Sequence, residues 1–188
     1  TSTPEPTSTP TPTPKPTATP LPFDKSVTLM NTYGTVFDKS GVCVPTATNL
    51  ENVYYIKNLK KHYNSVSMEN EMKPDAILKG VPTLITIDEA KSLGYVIPEN
   101  YTDTMVPQLN FTATDLAMKL CYENELGLRF HTLVWHSQTP DWFFRSDYNG
   151  SNDLVSTDVM DARMEFYIRT VMKHVYDSEY SSCVYAWD

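Results

Sequence analysis

The chain has 188 residues, a net charge of −8 at pH 7 and 40% hydrophobic residues. It carries no basic run, which argues against nucleic acid or an anionic membrane as a partner, and no apolar stretch near the ~20 residues of a membrane span. None of its three cysteines (Cys43, Cys121, Cys183) sits in a CxxC pair, so a zinc site has no support, and the odd count argues against a dense disulfide framework.

In chain order, residues 1–22 read "TSTPEPTSTPTPTPKPTATPLP" and hold eight of the 14 prolines. A stretch with nothing apolar to bury cannot offset its ordering entropy, so a disordered Pro/Thr-rich linker is expected there, extended and open to O-glycosylation. Residues 23–188 are read as one folded unit. Ser26–Phe37 is strand-like. Thr48–Tyr63 is helix-like, with Leu50, Val53, Tyr54 and the stem of Lys57 as its stripe. Asn64–Met68 is a short strand, followed at once by the polar run "ENEMKPD".

A long irregular segment, Ala76–Phe111, comes next and holds one short helix in "TIDEAKSLG". Thr112 opens a second clear helix, with Asp115 at capping-box spacing and Gly127 as its stop. "LRFHTLVWH" is a strand. "TDVMDARMEFYIRTVMKHVY" is the clearest helix, with Met160, Met164, Tyr167, Ile168, Val171 and Val175 recurring at three and four. "CVYAWD" is the last strand. Cys121 and Cys183 lie in apolar segments and read as small core residues. The N-x-Ser/Thr sequons at Asn100, Asn110 and Asn149 are hints of surface loops.

Strands alternating with helices predict a parallel sheet with right-handed crossovers. No GxGxxG or Walker A motif follows any strand, which leaves a (β/α)8 barrel as the favoured architecture. Four strands make about the first four of its β/α units.

Polar and aromatic residues gather where strands end, which is where a parallel barrel places its site. Glu69, Asn70 and Lys73 follow the second strand. His131 and Trp135 lead into His136 and Gln138, then Trp142. Trp187 and Asp188 end the fourth strand. Carboxylate, amide, ammonium, imidazole and indole together suit a neutral polyhydroxylated ligand, whose hydroxyls both donate and accept and whose C–H faces pack on rings.

Each residue also has a plainer reading. Glu69 and Lys73 would serve as a surface ion pair, and Trp142 as a core anchor or a sugar platform. His131 and His136 are five apart and face opposite sides of a regular strand, so no metal is expected between them. His131 and Trp135 are four apart and share a face. No cofactor is implied.

"SVSMENEMKPD", then "LRFHTLVWHSQTPDWFF", then "VYAWD" closely resembles glycoside hydrolase family 10, the endo-1,4-β-xylanases, in order from about Phe23 to Asp188. The resemblance implies a (β/α)8 barrel, here its N-terminal half, and retaining hydrolysis of xylan or xylo-oligosaccharides. It implies that Glu69, Asn70 and Lys73 contact the sugar two places to the non-reducing side of the cut. His131 and Trp135 would line the site of the sugar being cleaved, with His136, Gln138 and Trp142 near the substrate or behind it.

The acid/base and nucleophile glutamates of the family fall beyond Asp188, which would support the acid/base without being a catalyst. The isolated fragment is therefore expected to be inactive, and a chain supplying the rest of the barrel is an expected partner. The linker fits a secreted, extracellular, multi-modular enzyme. A non-catalytic xylan-binding protein made from half a hydrolase is the alternative. A general β-glycan hydrolase is a third reading.

Overall fold

Four short parallel strands carry the fold of this chain, whose computed structural model describes residues 27–188 apart from 35 and 37. The linker expected at 1–22 lies outside the described residues. The elements run α1 (Leu29–Tyr33), β1 (Gly41–Val44), α2 (Val53–Leu59), β2 (Ser65–Met68), α3 (Pro74–Leu78), β3 (Leu84–Thr86), α4 (Ile87–Ser92), β4 (Met105–Pro107), α5 (Thr112–Glu123), β5 (Gly127–Phe130), α6 (Thr157–Asp177) and β6 (Val184–Trp187). The sheet order is β1-β2-β5-β6, all parallel, as alternating β and α units require. A separate antiparallel pair, β3-β4, belongs to the excursion between β2 and α5.

Strand alternation gives the sheet two distinct faces. One row aligns Val42, Val66, Leu128 and Val184, and further along come Val44 with Met68 and Phe130 with Trp187. These side chains face the helices and join one core with Leu50, Met118, Cys121, Phe166, Val171 and Val175. Cys121 and Cys183 are both buried, as small core residues.

The opposite face carries Cys43, Ser67, Arg129 and Ala186. A register shift in the β5-β6 pairing leaves Tyr185 without a partner of its own. Its ring lies over Gly127, where an added Cβ would come within 2.9 Å of it, and its hydroxyl reaches Ser65 Oγ at 3.3 Å. Gly127 is thus a close-approach glycine inside β5. The expected role as a helix stop is not the one it plays, because α5 ends four residues earlier at Glu123.

Several other expectations change. The segment Ser26–Phe37 holds a short helix, α1, capped by Thr28, whose Oγ1 accepts from the Asn31 N–H at 3.1 Å; the first strand is the later run Gly41–Val44. The helix over Thr48–Tyr63 is broken. A 3-10 turn, Ala47–Glu51, is followed by Asn52, whose side chain accepts from the N–H groups of Tyr54 and Tyr55 and so starts α2 afresh. That break turns Val53 and Tyr54 to solvent and buries Ile56 and Leu59.

Asp115 makes no capping box with Thr112, since it pairs with His174 Nε2 at 2.6 Å while Thr112 Oγ1 donates to Asn110. The long segment 76–111 contains the end of α3, all of α4 and the β3-β4 pair. Its short helix α4 does carry a capping box, from Thr86 and Glu89.

Helix α6 buries a face rotated from the expected stripe: Ala162, Arg163, Phe166, Tyr167, Thr170, Val171 and Val175. The rotation follows from a second packing partner. The excursion folds over α6, with Tyr95 and Tyr101 against Phe166 and the Val96 N–H on Thr170 Oγ1 at 3.1 Å. Arg163 is fully buried in that contact. Its guanidinium holds both Asp103 oxygens at 2.7 Å and donates to the Phe143 and Arg145 carbonyls at 2.8 Å. It also lies 3.8 Å from the Tyr148 ring centroid.

A buried pair holds only while both partners are present. Arg163→Ala is expected to lower stability by about 3–5 kcal/mol, read from the urea midpoint. It should also open residues 95–103 to limited proteolysis before the sheet. Loss below about 1 kcal/mol would show that the network is not what pins the excursion.

Candidate functional site

Because all four strands run one way, their C-terminal ends share one edge. Two hydrogen bonds carry the register past the last strand residues: Glu69 N–H to Val44 O at 2.9 Å and Asp188 N–H to Phe130 O at 3.1 Å. Strand β2 ends at Met68, and Glu69 and Asn70 lie in a bend, so side-chain alternation breaks there.

Pro74 occupies the first turn of α3 and forces the residue before it into extended backbone. Lys73, at φ −79 and ψ 161, is that residue. This sets a long cationic side chain, only 9% exposed, across the strand ends. Its ammonium donates to Asn70 Oδ1 at 3.2 Å and to Gln138 Oε1 at 2.7 Å, while Gln138 Nε2 donates to the same Asn70 oxygen at 2.9 Å. These three residues form a closed triangle. The ammonium also sits 5.9 Å from the centroid of the Trp135 ring.

The expected strand "LRFHTLVWH" stops at Phe130. Past it, the chain turns with a cis peptide between His131 and Thr132. The turn is held by Leu133 N–H and Thr132 Oγ1 on the Asp188 carbonyl, at 2.9 and 2.7 Å. His131 and Trp135 therefore meet through a loop and not through strand alternation, edge to face at 6.1 Å between centroids. His136 also lies against Trp135, at 4.5 Å between centroids. His131 Nδ1 is 2.5 Å from Asp188 Oδ2, which also accepts from Arg129 Nη2 at 3.2 Å.

The structure thus brings together Asn70, Lys73, Gln138, Trp135, His131, His136 and Asp188. Glu69 is exposed on the same edge, and Lys73 turns to the two amides and not to it. Trp142 stands apart. It is buried, donates from Nε1 to the Lys79 carbonyl at 3.1 Å and packs on Phe143 and Tyr148, so it is a core anchor. It floors an open hollow of about 910 Å³ with Asp75, Pro140 and Asp141. The hollow adjoins the cluster through the Asp75 N–H bond to the Gln138 carbonyl at 2.9 Å.

Sequence reasoning left Gln138 undecided and did not single out Arg129. Gln138 bridges residues 65 and 68 positions away, a distance no local pattern reports. Arg129 had a usable signal, since it precedes His131 by two in the run read as a strand. Among the described residues no group of His, Cys, Asp and Glu is arranged to hold a metal ion.

The hydrogen bond to His131, and then the charge of Arg129, hold the Asp188 carboxyl below its ordinary value of 3.8. A depressed carboxyl stabilises the fold at pH above 3.8 and loses that contribution as pH falls through its lower folded value. Carbon-detected NMR of the Asp188 side-chain carboxyl should give a midpoint below 3.8, moving up in His131→Ala. A midpoint unmoved by that substitution would exclude the contact as its cause.

Comparison with known proteins identifies the fold and the family. Glycosyl hydrolase family 10 matches residues 28–188. Endo-1,4-beta-xylanase A of Butyrivibrio fibrisolvens is 49% identical over 164 residues, which is 87% of this chain and 40% of that protein. Endo-1,4-beta-xylanase A of Thermotoga maritima is 37% identical over 80% of this chain and 11% of its own length.

A Clostridium thermocellum structure of the CBM22-1-GH10 modules of endo-1,4-beta-D-xylanase 10B, complexed with xylohexaose, superposes with TM-score 0.64 at 28% identity. It covers 91% of this chain and 29% of its own. The Caldicellulosiruptor owensensis endo-1,4-beta-xylanase gives 0.58 at 30% identity, over 86% of this chain and 38% of its own. The chain spans less than half the length of these relatives. Its four parallel units are part of a (β/α)8 barrel, and the chain belongs to glycosyl hydrolase family 10.

Proposed function

We propose that this chain supplies one wall of the substrate cleft of a retaining endo-1,4-β-xylanase. The observation that carries the reading is the Asn70–Lys73–Gln138 triangle facing Trp135 at the strand ends. An ammonium and two amides offer donors and acceptors to sugar hydroxyls, and the half-exposed indole offers an apolar platform to a sugar face. The names of the relatives support β-1,4-xylan as the polymer. Glu69, Asn70 and Lys73 bind the sugar two places to the non-reducing side of the cut, and His131 and Trp135 the sugar at the cut.

Retaining hydrolysis needs two carboxyl groups about 5–5.5 Å apart, one nucleophile and one acid/base. In this reading the acid/base glutamate follows within a few residues of Asp188, at the end of β6, the nucleophile glutamate comes from the second half of the barrel, and Asp188 is neither. A secreted setting, with the 1–22 segment as a tether to another module, belongs to the same reading.

The 188-residue chain alone is expected to release no reducing sugar from xylan, and to do so once joined to the remaining barrel strands. Binding of xylan by the joined protein without turnover would favour a binding module. Turnover of cellulose in preference to xylan would favour a general β-glycan hydrolase.

Within the joined protein, Lys73→Met is expected to weaken xylotriose binding about 10–100-fold, the worth of about 1.5–3 kcal/mol for a hydrogen bond to a charged group. Calorimetry that finds wild-type affinity would remove Lys73 from the sugar site.

A further inference from the structure

Beneath the sugar-facing edge lies a polar chain that the proposed binding roles do not use. Arg129 and Ala186 pair across β5 and β6 on the sheet face opposite the core. From there Arg129 Nη2 reaches Asp188 Oδ2 at 3.2 Å, and the same oxygen meets His131 Nδ1 at 2.5 Å. The other two Asp188 anchors are backbone: its N–H on the Phe130 carbonyl, and its carbonyl on Leu133 N–H and Thr132 Oγ1. Asp188 is thus held at both its main chain and its carboxylate, and His131 is held by Asp188.

The chemistry of the shared oxygen fixes a proton. An ionised carboxylate only accepts hydrogen bonds, and Arg129 donates to it. The Nδ1 atom of His131 must therefore carry the hydrogen in that contact. In a neutral imidazole the other nitrogen, Nε2, is then an acceptor. Among the described residues no hydrogen bond to Nε2 is present, and the side chain is 28% exposed beside Trp135. The charged and titratable groups on the surrounding elements are Arg129 and Asp188 beneath the ring, Lys73 and His136 around Trp135, and Glu69 at the neighbouring strand end.

We propose that Arg129 and Asp188 are positioning residues. Arg129 orients the Asp188 carboxylate, and Asp188 holds His131 with its proton on Nδ1, so that Nε2 accepts the hydrogen of a sugar hydroxyl. The last clause rests on the xylan reading above; the first two do not. Neither Arg129 nor Asp188 touches the sugar in this arrangement. Their effect is to choose which nitrogen of the ring faces it. Free imidazole side chains in water favour the opposite tautomer, so the arrangement has a signature of its own.

The test is nitrogen NMR of the ¹⁵N-histidine-labelled protein, joined to the remaining barrel strands, near neutral pH, with and without xylotriose. The wild type should show His131 protonated at Nδ1 and bare at Nε2. Asp188→Ala should revert it to the Nε2–H form, Arg129→Met should lower the Nδ1–H fraction, and Arg129→Lys should restore it. Should Asp188→Ala fail to fold, Asp188→Asn takes its place, and a fall in the Nδ1–H fraction is expected there too, because the charge that favours a hydrogen on Nδ1 is gone.

A wild-type His131 protonated at Nε2, or a tautomer indifferent to Asp188, overturns the positioning role. Indifference to Arg129→Met removes Arg129 from it. With xylotriose, the Nε2 signal should move and Asp188→Ala should bind about tenfold more weakly. Movement of Trp135 signals without any change at Nε2 overturns the acceptor role. If xylotriose binds nowhere while the tautomer pattern holds, the positioning stands and the sugar reading above is what fails.

Discussion

Parallel pairing is the constraint on which the rest depends. When every strand of a sheet runs one way, the residues after each strand fall on a single edge, whatever their separation in sequence. Here that edge gathers positions from 69 to 188. The ladder continues for one more bond at Glu69 and at Asp188, so the first residues beyond the strands inherit strand spacing instead of loop freedom. A functional group placed one residue past a strand is therefore positioned almost as well as one within it. That is why His131 and Asp188, 57 residues apart, stand at hydrogen-bond distance with no other element between them.

The same constraint explains how much was legible. Helices α5 and α6 and strands β2 and β6 announce themselves through local periodicity, and the site residues follow from reading what comes next. The misreadings share a cause, which is competition between neighbouring patterns. Ser26–Phe37 is apolar enough to read as a strand, yet the Thr28 side chain captures a backbone N–H and starts a helix. The real strand, Gly41–Val44, is four residues long and begins with glycine. Asn52 breaks a helix whose overall composition gives no warning. Arg163 is least legible of all. An arginine on a helix ordinarily reads as surface, and only the arrival of Asp103 from 60 positions away makes its burial tenable.

The excursion between β2 and α5 bears on the site indirectly. It packs on α6 through Arg163, and Arg163 in turn holds the carbonyls of Phe143 and Arg145. Those residues follow directly on the segment that carries Trp135, His136 and Gln138. A loop long enough to be mobile is thus tied at its far end to a buried ion pair. Sites on loops are precise only when something rigid supports them from behind, and here the support comes from a helix turned to meet an insertion.

Gln138 shows what that precision costs locally. Its φ is +54, a conformation that non-glycine residues seldom adopt. Such a residue is destabilising by about 1–3 kcal/mol unless its surroundings over-determine it. Here they do so from both ends. The backbone carbonyl takes the Asp75 N–H at 2.9 Å, and the side-chain amide is fixed by Lys73 and Asn70. The Lys73 bond is charge-assisted, worth about 1.5–3 kcal/mol in net terms. It is therefore large enough on its own to offset the backbone term. The strained residue and the buried ammonium consequently depend on each other. Lys73 needs acceptors at 9% exposure, and Gln138 needs a reason to stay left-handed. Such mutual dependence holds the triangle in one arrangement before any ligand arrives.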